Sequence, residues 1–450
     1  MAWWRREGRE RRGSLDAAGV AAVVQAVRAA KDVDAAWAAA APLRAAIEHT
    51  DAAIALAACV GWFGPHRGVE AGRELLARHG DVLAVLGMIG ESFPRLTDVD
   101  DLNAPPPADP WFAEVVDRLE RAAASATGDD AIALLDALAA AARRLGRAGD
   151  ARAERAHAAL RARQPDNAHH HYNAGLFFKT RGRWAEGQAA NQRAIDLGDT
   201  DQPAWWNLGI CATGAGDGAT ALTAWRQLGQ QVELGQFGLP EGGYPAAKVR
   251  VAQQPLAERD ATSDEPGVEE NLWLERLSPC HGVVRVAVFA DELGVEYGDV
   301  VMFDGAPVGR QGGVPIFPHL ATLHRRSYQI WRFVGAQATK GQLIALSKHL
   351  PEDTVIYPHT EQIVVLCDAC AKGRGGDGHA HTPEQAHHVV RGKLCAPPHL
   401  APATVLAALD AAIAGAPGAQ IAVPDLCAAA GDAARAEVEA RRLALLVDNT

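Results

Sequence analysis

Apolar residues recur every three or four positions through the first half of the chain, and alternate with polar ones through much of the second. These spacings predict helices and strands respectively. Val20, Val23, Val24 and Val27 fall on one helical face, with Ser14 or Asp16 placed to cap that helix. Further helices are predicted over 33–49, 52–62, 68–79 and 81–91, punctuated by Gly64-Pro65 and Gly80. Residues 1–95 therefore read as a helical region, either degenerate repeats or a plain bundle. An acidic and then proline-rich stretch makes 96–110 a linker. Helices resume at Trp111 and run to about 235.

Glycines and prolines between 235 and 245 end the helical text, and 245–372 reads as a β-rich domain of the barrel or sandwich kind. Its strands are predicted at 272–277, 283–290, 300–303, 314–323, 328–334 and 354–357, with one helix near 340–350. Asp304-Gly305, lying between Val-Val-Met-Phe and Ala-Pro-Val, predicts a two-residue hairpin. Residues 373–388 are a Gly/His-rich linker, and 389–450 alternate strand, helix, strand and helix as a small α/β unit. The expected class is multidomain α+β: an all-α helical-repeat array, then a β-rich domain, then the α/β unit.

The helical text between Ala168 and Leu228 repeats itself. A shift of 34 residues lays Ala174-Gly175 on Leu208-Gly209, His171 on Trp205, Tyr172 on Trp206 and Asn173 on Asn207. The same shift lays Phe178 on Ala212, Gly182 on Gly216, Gly187 on Ala221, Asn191 on Trp225 and Ala194 on Leu228. Small residues at fixed offsets let two helices approach, and Gly182 and Gly216 are placed to release the chain into a tight turn. A weaker copy precedes these two, with Leu138, Ala141, Ala142 and Leu145, the turn at Gly149, and then Ala153, His157, Leu160 and Pro165. Its turn is one residue too long for strict register. The pattern resembles the tetratricopeptide repeat over roughly 133–230, in period and in the placing of Gly, Ala and aromatic residues.

That resemblance implies stacked helix pairs with a concave surface lined by the first helix of each pair. Asn173 and Asn207 hold the position that often faces this groove in the family, where an amide can pair with both N–H and C=O of an extended peptide. Tyr172, Trp206, His169 and Lys179 are expected nearby, completing a peptide-binding set. The alternatives are that the asparagines cap or solvate helices and the aromatics pack in the core.

Charge narrows the partners. With 44 basic and 55 acidic residues the formal net charge is −11, which argues against general nucleic-acid binding. The basic start, Met1 to Arg12, is followed by no apolar signal core, and the longest apolar run, near 52–63, is shorter than the roughly 20 residues that span a bilayer. Seven cysteines, an odd number without disulfide rhythm, favour a reducing compartment. A cytoplasmic protein with no membrane association is expected.

One stretch suggests metal chemistry. Cys367 and Cys370, two residues apart, have the spacing that chelates zinc, with Cys395, His379 and His381 the leading candidates for further ligands. No second Cys-x-x-Cys completes the signature, and the alternative is two reduced cysteines at a strand end. Phosphate-loop, nucleophile-elbow, zincin and dinucleotide-binding motifs are all missing from the sequence. The first reading is an adaptor or scaffold that binds a partner polypeptide through its repeats; the alternative is an enzyme, possibly metal-dependent, whose site lies in the β-rich or C-terminal part while the repeats recruit a protein substrate. A third, a regulator binding a small ligand in the β domain, has no residue pattern for or against it.

Overall fold

The computed structural model describes residues 16–97, 107–199, 201–253, 268–359 and 388–448. The chain divides into two compact units, 1–242 with 252–267, and 243–251 with 268–450.

The first unit is helical. It opens with α1 (Ala17–Arg28), α2 (Val33–Ala39), α3 (Ala41–Ala45), α4 (Thr50–Ala57), α5 (Gly64–His79) and α6 (Leu83–Leu96). Asp16 caps α1, its carboxylate accepting from the Gly19 N–H at 2.7 Å, and Asp32 caps α2 in the same way at 2.8 Å. The single helix predicted over 33–49 is broken in two, because Pro42 cannot donate an N–H and sits instead in the first turn of α3. Next come α7 (Trp111–Ser125), α8 (Gly128–Ala142), α9 (Asp150–Arg163), α10 (Ala168–Thr180), α11 (Trp184–Asp196), α12 (Gln202–Gly214) and α13 (Gly218–Gln227). A two-residue ladder, β1 (Glu233–Leu234) with β2 (Pro240–Glu241), packs against α13.

One apolar core runs through the helical unit from Val20 in α1 to Ala190 in α11. Alanines make up much of it, and their small size lets neighbouring helices lie close. Larger side chains, among them Phe63, Phe93, Trp111, Leu119 and Phe177, fill the space between layers.

The second unit holds two sheets. Its strands are β3 (Ala247–Ala252), β4 (Glu269–Arg276), β5 (His281–Val284), β6 (Val300–Phe303), β7 (Gly309–Gln311), β8 (Val314–His324) and β9 (Gln329–Gln337). There follow α14 (Gln342–Ala345), β10 (Val355–Pro358), β11 (His388–Ala396), α15 (Pro402–Ala414), β12 (Gln420–Ala422), α16 (Pro424–Ala429) and α17 (Ala433–Asp448). In the first sheet β3 pairs with β4 on one side and, in parallel, with β8 on the other, so β3, β4, β5, β6 and β8 close into a ring with β7 at its edge. Val249, Val251, Leu272, Leu274, Val301, Phe303 and Phe317 fill that barrel.

The second sheet is antiparallel in the order β10-β11-β9-β12. Here β11 lies beside β9 over nine successive positions, from His388 opposite Gln337 to Ala396 opposite Gln329. Strands from the C-terminal segment thus flank a strand from the middle of the chain. Trp331, Phe333, Ile356 and Leu394 share one core with Val405 and Leu409 of α15 and Leu426 of α16.

The hairpin expected at Asp304-Gly305 is not formed. Strand β6 pairs with β5 and β8, not with β7. The two-residue turn is Gly312-Gly313, between β7 and β8, with Gln311 opposite Val314. Both glycines take positive φ, 58° and 81°, as a type I′ turn requires, whereas neither Asp304 nor Gly305 does so.

Candidate functional site

The repeated helix pairs are α10 with α11 and α12 with α13, and α8 with α9 forms the weaker pair before them. The small residues at their matched positions have one physical role. A Cβ on Gly175 would lie 2.4 Å from the Asn191 side chain, and one on Gly209 would lie 2.6 Å from the Trp225 ring. Helix α11 therefore lies against α10, and α13 against α12, at distances only glycine permits. Asn191 and Trp225 are both fully buried. The Asn191 amide donates to the Gly187 carbonyl at 2.7 Å, and its oxygen has no partner.

Each turn within a pair closes alike. The N–H of Arg183 donates to the Phe178 carbonyl at 3.0 Å, and 34 residues on the N–H of Asp217 donates to the Ala212 carbonyl at 2.9 Å. Gly182 and Gly216 supply the left-handed residue, with φ of 68° and 76°.

Side chains clamp one pair to the next. Arg181, 9% exposed, donates to Asp150 at 2.7 Å, to the Arg143 carbonyl at 2.9 Å and to the Thr180 hydroxyl at 3.1 Å. Arg183 bridges Glu154 of α9, at 2.8 Å, and Glu186 of α11. Gln188 of α11 donates to Asp217 at 2.7 Å, and Asp217 also caps α13 through the Thr220 N–H.

With the back of α10 locked, its other face carries the expected binding residues. Asn167 caps the helix. His169 is exposed and its Nε2 accepts from the Asn173 amide at 3.0 Å. Tyr172 and Asn173 are half-buried. The neighbouring histidines turn away: His170 is buried with Nε2 at 2.8 Å from the Gln164 oxygen, and His171 donates to the Pro165 carbonyl at 2.8 Å. His169, Tyr172 and Asn173 thus come together as an accessible polar and aromatic strip.

The rest of the expected set lies deeper. Lys179 is 3% and Asn207 4% exposed, and Ile210 and Thr213 on the same helix as Asn207 are also buried. Trp206 is half-buried, its ring edge-on to Trp225 with centroids 5.1 Å apart. The repeat shift equates Asn173 with Asn207, but the first is open and the second enclosed.

Of the residues considered for metal, Cys367, Cys370, His379 and His381 lie outside the described residues. Cys395 is buried in β11, and burial pushes its thiol well above the ordinary range, which keeps it protonated. Among the described residues no group of three or more His, Cys, Asp or Glu is arranged to hold a metal ion. No described helix is long and apolar enough to cross a membrane.

Two residues with no distinguishing signal in the sequence stand beside the strip. Arg143, at the C-terminal cap of α8, and Arg144 are only partly exposed, and the Nε of each is buried without a hydrogen-bond partner. The Tyr172 phenol lies within electrostatic reach of Arg143. Arginine at a helix C-terminus is ordinary, which is why the sequence carried no signal of its exposure or pairing.

Several solved structures are similar to part of this chain. MamA, residues 41 to the end, from Desulfovibrio magneticus RS-1 is 16% identical with a TM-score of 0.28, covering 37% of this chain and 82% of that one. PilF of Pseudomonas aeruginosa is 16% identical with a TM-score of 0.33, covering 46% and 90%. The TPR2AB domain of yeast Sti1, in its pHSP90 complex, is 17% identical with a TM-score of 0.18, covering 46% and 81%. No protein-family model matches the chain, and no curated protein matches it.

Proposed function

We propose that this protein is an adaptor or scaffold whose tetratricopeptide-like helix pairs take up an extended segment of a partner polypeptide on the open face of α10. The observation that carries this reading is the strip His169, Tyr172 and Asn173 on a helix held rigid from behind by the Gly175–Asn191 contact. A half-buried amide offers a donor and an acceptor to a peptide backbone, and the phenol offers a flat apolar surface with a polar tip. A rigid scaffold spares the ordering cost that weakens binding by loose surfaces.

The test compares full-length wild type, Tyr172→Ala/Asn173→Ala, and Arg163→Ala on the exposed end of α9, each immobilised and exposed to cell extract. Partners captured by wild type and retained by Arg163→Ala are expected to bind the double variant about tenfold or more weakly, a loss of about 1.4 kcal/mol. Equal capture by the double variant would remove the α10 face as the binding surface.

A further inference from the structure

The turn between α8 and α9 concentrates positive charge that no carboxylate among the described residues neutralises at Arg143 or Arg144. Arg143, Arg144 and Arg181 gather where Gly146, with φ 61° and ψ −145°, breaks the helical path. The nearby carboxylates pair with neither Arg143 nor Arg144. Asp150 holds Arg181 at 2.7 Å and Arg147 at 3.4 Å, and Asp136 lies 3.4 Å from the ring of the buried His170. Arg181 is fully used in clamping the pairs together. Among the described residues neither Arg143 nor Arg144 pairs with a carboxylate, and neither buried Nε–H finds an acceptor.

Burial, reinforced by the neighbouring guanidinium groups, lowers Arg143 to about 10 and Arg144 to about 9. A desolvated cation without an anion is costly, and a plain apolar side chain would serve the packing better. The nearby helix terminus supplies only a partial negative charge, and its unsatisfied carbonyls do not reproduce two formal charges. A guanidinium is a planar fork of N–H groups that matches the geometry of an oxyanion, and in each of these two the Nε–H lacks an acceptor.

We propose that Arg143 and Arg144 form a half-buried anion site, and that it receives a carboxylate or phosphate group carried by the polypeptide taken up on the adjacent face of α10. The inference rests on the function proposed above and adds to it: the partner segment is acidic or phosphorylated beside the residue that meets Tyr172. The anion accepts from the two guanidinium forks and restores the missing hydrogen bonds.

The test uses the full chain and two small probes, inorganic phosphate and glutarate, at ionic strength held constant with sodium chloride. Thermal midpoints are read from the far-ultraviolet circular dichroism of the helices. A ligand that binds only the folded state raises the midpoint in a saturable way. At least one probe is expected to do so in wild type and in Arg147→Gln. In Arg143→Gln/Arg144→Gln the affinity should fall at least about tenfold, the scale of losing charge-assisted hydrogen bonds. A response to phosphate alone supports a site selective for phosphate groups, and a response to glutarate one that accepts carboxylates. No saturable rise in wild type with either probe overturns the site, whatever the variants do. So does an unchanged response in the double variant, and Arg144→Gln alone serves if the double variant does not fold. No polypeptide is present, so failure here leaves the α10 face standing. Loss of that face in the capture experiment would leave anion binding intact.

Discussion

Gly175 is buried, and what lies behind it constrains it further. The space a methyl group would need is occupied by the Asn191 amide, which is itself held by the Gly187 carbonyl. Gly175→Ala must push α10 from α11 or expel the amide, and overpacking of this kind costs about 1–3 kcal/mol. Asn191→Ala frees the space, so in Gly175→Ala/Asn191→Ala the two losses should be far from additive. Urea unfolding of the four proteins, followed by helix signal, checks this; simple additivity would show that the contact is not the constraint. This part of the site was legible in the sequence, because a large residue facing a small one at fixed spacing is a pattern of residue types. Exposure was not. Asn173 and Asn207 are identical in type and offset, yet one reaches solvent and the other is enclosed. Arg143 was missed for the same reason: whether a guanidinium has a counter-ion depends on residues distant in sequence.

At the scale of elements, most strands and helices lie near where periodicity puts them, while their pairing does not follow from periodicity. Asp304-Gly305 carries turn residues, but its flanking strand β6 finds partners on both sides from β5 and β8, and the chain passes on through Gly309 before turning back. Gly312-Gly313 makes the hairpin because its ends, Gln311 and Val314, pair directly. A Cβ at either glycine would meet no atom within 4 Å, so a substitution there is felt through the backbone alone. Holding an L-residue in the left-handed region costs roughly 1–2 kcal/mol. Gly312→Ala and Gly313→Ala should each destabilise the barrel by about that amount, with Gly312→Asn milder, since asparagine tolerates positive φ. Denaturant midpoints read from a β-sensitive signal decide it; a neutral pair of alanine variants would rule out the type I′ turn. The long ladder between β9 and β11 was equally hidden, because it joins strands separated by much of the second unit.

For the molecule as a whole, the order of classes, helices first and sheets afterwards, is legible in the sequence because each class rests on local spacing. How the strands close into a ring rests on non-local contacts. Those contacts also fix the response to acid. Burial lowers His157 in the helical unit to about 3, and His281, His319 and His359 in the second unit to about 4. His157 is 3% exposed, lies against the Phe177 ring and has no partner at either nitrogen. A histidine whose folded value lies below its unfolded one binds fewer protons when folded, at every pH between the two. Its contribution is therefore fully present above pH 6.5 and is lost as pH falls toward 3 or 4. Within that window a fully buried histidine costs up to about 1.4 kcal/mol per pH unit. Carboxylates with raised values, Glu91 and Asp299, act in the opposite sense, so the informative quantity is a difference between proteins. Urea unfolding of the helical unit between pH 7 and 4.5 should show wild type losing stability steeply and His157→Phe losing less. The gap between the two curves should widen steadily as pH falls, and parallel curves would mean that His157 is hydrated or protonated in the folded state.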